Sequence, residues 1–213
     1  MKEEDILFYK SKCIFLLITF WFFLEKFILL VIIPNELIFL NVILEIIISF
    51  LIAMLLTLNI KNTKNGIRVG FLGVFFAIQC YFYANYFSKF FESNIIIELT
   101  AFLLFDILIM SLLLLHLKRS INKFSVSHTI SYLLLFVFLY GSWIAKSSIT
   151  YNSDFFLGLT VLLFNTLVFG FLWLLVAIMI GIFGGLGGML GVKIGKNKWL
   201  NKNKISDALA IDF

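Results

Sequence analysis

The chain has 213 residues, of which 62% are hydrophobic and 14% charged, with a mean hydropathy of +1.07, whereas soluble domains are typically about one quarter charged. That excess excludes a fold that hides its apolar side chains in one soluble core, and it makes lipid the economical solvent for most of the chain. The formal net charge of +5 comes from Lys and Arg in short clusters between apolar runs, a pattern of topology signals that argues against a nucleic-acid surface.

Lys10 and Lys12 precede the apolar stretch from Cys13 to Leu24, as they would in a signal peptide. No small-x-small cleavage site follows, and Glu25-Lys26 leads into further apolar sequence, so a retained first span is expected. Apolar stretches of about 20 residues predict six spans, near Cys13–Ile33, Leu37–Ile60, Ile67–Phe87, Ile95–Leu117 and Thr129–Ala145, with a last one from Phe155. Pro34-Asn35, Lys61–Gly66, Ser88–Asn94, Lys118–Ser127 and Lys146–Asp154 are the breaks between them.

The last stretch, Phe155–Val192, is too long for one perpendicular crossing at 1.5 Å per residue through about 30 Å of hydrocarbon. Its small residues recur near the helical period, which favours one tilted or kinked helix; seven spans, or six plus a re-entrant glycine-rich segment, are the alternatives. The expected fold is therefore an all-α polytopic transmembrane helix bundle. Residues 1–213 form a single integral membrane domain with short cytoplasmic tails, 1–12 and 196–213.

Orientation follows from the basic residues, because short cytoplasmic loops retain Lys and Arg. Fourteen of them, from Lys2, Lys10 and Lys12 through Lys61, Lys64, Arg68, Lys118, Arg119 and Lys123 to the C-terminal lysines, fall on one side, against Lys89 and Lys146 on the other. Both termini are expected inside the cell, with the chain in the cell membrane. Tyr83, Tyr86, Tyr140, Trp143 and Tyr151 cluster at the expected outer interface, where amphipathic rings settle.

Lipid is as apolar as Leu, so small and polar faces must supply helix packing. Asn41, Glu45, Ser49, Ala53 and Thr57 form one such face, and Gly70, Gly73, Ala77, Cys80 and Ala84 another. Gly181, Gly184, Gly188 and Gly191 carry overlapping GxxxG spacings that suit close packing within the chain, self-association or docking of other membrane subunits. A backbone opened by glycine to line a pathway is the sharper alternative.

An ionisable group at mid-bilayer costs on the order of 2.5–3.5 kcal/mol, so each one needs a partner or a purpose. Folding the first two spans about Asn35-Glu36 brings Lys26 and Glu45 to similar depth, and they are expected to pair. Glu25 lies about 100° round the helix from Lys26 and is expected to face another span or the outer interface. Asp106 is the first candidate for a functional carboxyl, hydrogen-bonded to Gln79 or Asn165 or binding a proton or cation. Cys13 and Cys80 read as packing residues, and His116 and His128 as interfacial ones; no spacing suggests a metal or cofactor. Gly195-Lys196 lacks the rest of a phosphate loop, and Gly141-Ser142 lacks the surroundings of a nucleophile elbow, so an enzyme is the less favoured class.

The motifs carry no family resemblance. Membrane-depth carboxyls and spans lined with small residues favour a small transporter or the membrane subunit of a transport complex. A non-catalytic scaffold or assembly factor is the alternative, and an enzyme acting on a lipid or membrane-embedded substrate is the third.

Overall fold

Within lipid a backbone must satisfy its own polar groups, so apolar runs of this length become helices and turn only where polar sequence interrupts them. The computed structural model describes residues 3–31, 38–88, 95–122, 164, 168, 171 and 174–197, with side chains throughout except at 26–31, 38–42, 85–87, 95 and 122. The helices are α1 (Glu3–Val31), α2 (Ile38–Thr57), α3 (Thr63–Ser88), α4 (Ile95–Asn122) and α5 (Leu174–Asn197). No strand occurs among the described residues. The expected fifth span, the first part of the last stretch and the C-terminal tail beyond Asn197 lie outside them, apart from three isolated positions.

The turn between α2 and α3 shows how the sequence sets a boundary. Asn62 caps α3: its Oδ1 accepts the Lys64 N–H and its carbonyl the Gly66 N–H, each at 3.0 Å. At the start of the chain Glu3, Glu4 and Asp5 occupy the first turn of α1, where carboxylates favour the positive end of the helix dipole. This helix therefore begins well before the apolar run that marks it in the sequence.

Side chains crossing between helices fix their directions. Ser11 donates to the Val69 carbonyl at 3.2 Å, Lys10 Nζ to the Leu56 carbonyl at 2.7 Å, and Arg68 Nη2 to the Ser120 carbonyl at 2.7 Å. Thr57 Oγ1 lies 2.7 Å from the Ala53 carbonyl and 3.1 Å from that of Gly188, so its one proton is shared between its own helix and α5. The first turns of α1 and α3 thus meet the last turns of α2, α4 and α5 at one end. There Lys10 and Arg68 supply donors to carbonyls near helix C-termini, which lack intrahelical partners and carry the negative end of the dipole.

Burial and composition run opposite to the order in a soluble protein. The Thr63–Ala84 segment of α3 packs against α1, α2 and α4 and is 72% buried, yet it is the least apolar of the long helices; Ile96–Ile121 of α4 is the most apolar and only 28% buried. Leu104, Leu108, Leu112 and Leu115 form an outward stripe on α4, each more than half exposed. Soluble monomers rarely show a continuous apolar face of that kind. Four helices, within α1, α3, α4 and α5, are long and apolar enough to cross a membrane, and Ile43–Thr57 of α2 is a shorter apolar one.

Glycine decides how α5 seats. Its backbone is helical without interruption from Leu174 to Asn197, and no glycine among the described residues has a positive φ. The re-entrant turn admitted by the glycine-rich sequence is therefore absent from Gly181–Gly195. The missing side chains serve close approach instead: Gly184 and Gly188 meet Gly70 and Gly66 of α3, while Gly187 and Gly191 meet the backbone of Phe50 and Met54 on α2. Gly73 sits over Ser11 and Ile14 of α1, and Ala77 is wholly buried on the same helix.

Candidate functional site

Among the described residues two contacts join ionisable side chains in the interior, both between neighbouring helices of a hairpin. The first joins α1 and α2. Glu25 sits ten residues before Asn35 and Glu45 ten after it, so the hairpin brings them to one depth, and their carboxyls are within hydrogen-bonding reach of each other. Two carboxylates offer acceptors only, so this contact holds while one of the pair carries a proton. Glu25 is 8% exposed and its Oε2 has no hydrogen-bond partner among the described residues.

Tyr81 of α3 lies within electrostatic reach of both carboxyls. Its ring packs on Phe22, with centroids 5.0 Å apart, and edge-on to Phe102 of α4 at 6.0 Å. Aromatic packing thereby holds a phenol beside the acidic pair and closes this level of the bundle with hydrocarbon. One turn along α2, Ser49 is 1% exposed with an unbonded Oγ. The Trp21 Nε1, one turn before Glu25, is also buried without a partner among the described residues.

The second contact joins α3 and α4. Cys80 Sγ donates to Asp106 Oδ1 at 3.2 Å and lies 3.6 Å from the Asp106 carbonyl oxygen. Both side chains are buried. The adjacent Gln79 is 2% exposed, with no partner for its Oε1 among the described residues.

Two of these partners were not expected. The described neighbour of Glu45 is Glu25, while the side chain of Lys26 lies outside the described residues. Glu25 turns to α2, the first of the two surroundings expected for it. Asp106 is met by Cys80, and Asn165 lies outside the described residues. Spacing in the sequence is compatible with both partners: Cys80 and Asp106 stand equally far from residue 93, as Glu25 and Glu45 do from Asn35. Charge complementarity and the usual packing role of cysteine pointed elsewhere.

Among the described residues no three His, Cys, Asp or Glu side chains gather as a metal site. The acidic pair can share a proton, or hold a small cation between its carboxyls. No protein-family model, curated protein or solved structure matches this chain.

Proposed function

We propose that the protein is a membrane-embedded transport component, a small transporter or the membrane subunit of a transport complex, in which Glu25 and Glu45 hold a proton or small cation. The observation that supports this most is the approach of two carboxyls inside the helix packing. A structural clamp is made far more cheaply by a carboxyl and an amide, or by an ion pair, than by two acids that must share a proton to stay in contact. Buried ionisable groups at membrane depth are usual where ions or protons bind and leave. Asp106 and Cys80, on α4 and α3, are a second acidic contact within the same bundle.

In the topology that accompanies this proposal, six spans cross the cell membrane, and both termini lie with the basic end of the bundle in the cytoplasm. The basic residues at that end favour this orientation. The exposed leucine stripe of α4 favours the lipid bilayer as a partner.

Reconstitution into liposomes tests the function. Wild-type protein, with any subunits that co-purify, is expected to dissipate an imposed pH gradient or to take up sodium or potassium, and the Glu25→Gln and Glu45→Gln variants are expected not to. Absence of proton and cation flux in the wild type, or full flux in the double variant, would overturn the proposal.

A further inference from the structure

The basic end of α3 carries a groove that the acidic pair does not use. It has a volume of about 330 Å³ and is lined by Lys64, Ile67, Arg68, Phe71 and Leu72. Small-molecule sites begin at roughly this size. The lining follows from helical spacing: Lys64 and Arg68 are one turn apart, and Ile67 and Phe71 repeat that interval beside them. Lys64 therefore stands outermost, Ile67 and Arg68 share the next turn, and Phe71 and Leu72 lie one turn further in.

Each wall has a structural cause. Arg68 is held by its bond to the Ser120 carbonyl, which fixes the guanidinium against the last turns of α4. Lys64 is exposed, in the first turn of α3, where the helix dipole adds positive potential. On the α5 side, Gly185 approaches Ile67 and Phe71 without a side chain, so nothing from that residue fills the space. Asn65, which bonds the Glu3 carboxylate at 3.0 Å, stands about 100° round the helix from Lys64 and directs that acid toward α1.

We propose that this groove binds an anionic phospholipid, with its phosphate at Lys64 and Arg68 and the start of one acyl chain on Ile67, Phe71 and Leu72. The paired chemistry selects the occupant. A free phosphate would leave the apolar half exposed, and a zwitterionic lipid would bring a cation against Lys64. Basic pockets between helices at the membrane surface recognise anionic headgroups in this way, at about fivefold in affinity for each Lys or Arg engaged.

The test is lipid retention on the purified protein, followed by native mass spectrometry during titration with phosphatidylglycerol, phosphatidylcholine or inorganic phosphate. Phosphatidylglycerol is expected to be retained preferentially, and Lys64→Gln to lower its affinity about fivefold. Lys118→Gln, the control, removes the same charge from a side chain that lies over Phe8 on the α1 side of α4 and is expected to leave the affinity unchanged. Both substituted side chains are exposed, and unfolding midpoints measured without added lipid verify that each variant is folded. Equal retention of phosphatidylcholine, binding of phosphate alone with the same affinity, or equal losses in the two variants would overturn the proposal.

Discussion

Glu25 of α1 meets Glu45 of α2 across the first hairpin, so the carboxyl expected to pair with Lys26 has a second acid beside it. Removing the charge without removing the hydrogen bond separates structure from function. Glu45→Gln supplies an amide donor to Glu25 and is expected to keep the unfolding midpoint in detergent close to that of the wild type. Glu45→Leu removes the partner and leaves Glu25 buried without it, at a cost of about 1–3 kcal/mol. Both variants are expected to lose flux in liposomes. A Gln variant as unstable as the Leu variant would show that the contact does not depend on a hydrogen bond.

Cys80 donates to Asp106 in a buried environment, so the replacement at position 80 should matter through its donor and not its size. Cys80→Ser retains a hydroxyl donor and is expected to fold stably; Cys80→Val removes it and costs about 1–3 kcal/mol. Thermal unfolding in detergent gives the order. In the folded wild type, maleimide is expected to label the partly exposed Cys13 and spare Cys80, which has no exposed surface.

Helix α5 provides a paired comparison at adjacent glycines. A Cβ at Gly184 would stand 2.8 Å from the Val74 Cβ and 2.9 Å from the Gly70 carbonyl oxygen, so the backbones must separate. A Cβ at Gly185 would find nothing nearer than 3.5 Å, an ordinary contact. Gly184→Ala is therefore expected to destabilise by about 1–3 kcal/mol. Gly185→Ala is expected to be neutral or to stabilise by up to about 1 kcal/mol through helix propensity. Unfolding midpoints in the same detergent measure the difference, and equal effects would contradict the seating of α5 on α3.

Among the described residues, α2, α3 and α4 were legible where a physical break accompanied an apolar run. Lys61–Gly66 ends one helix and starts the next because Asn62 can cap and lysines resist burial. The start of α1 was not legible from hydropathy, because Glu3–Lys12 flanks Ile6-Leu7-Phe8-Tyr9 with charged and polar residues; its helix is held by Ser11 on Val69 and Lys10 on Leu56, contacts between distant parts of the chain. The glycine spacing marked one face of α5, but only packing assigns Gly184 to α3 and Gly187 to α2. At the acidic site sequence placed Glu45 at the right depth but gave no sign that Glu25 would face it, because the side a helix turns to its partner is set by rotation within the whole bundle.

Orientation gives the last expectation. The bundle places Lys61, Lys64 and Arg68 at the same end as the C-terminal turns of α2, α4 and α5, and a positively charged end of this kind is retained in the cytoplasm during insertion. In a background lacking both native cysteines, Lys61→Cys puts a thiol in the exposed turn between α2 and α3. A membrane-impermeant maleimide is expected to reach it only after the cells are permeabilised. Ile96→Cys, 73% exposed near the first turn of α4 at the opposite end, is expected to react in intact cells. Because α4 runs antiparallel to α3, the two results are coupled: labelling of Lys61→Cys in intact cells with protection of Ile96→Cys would invert the whole bundle.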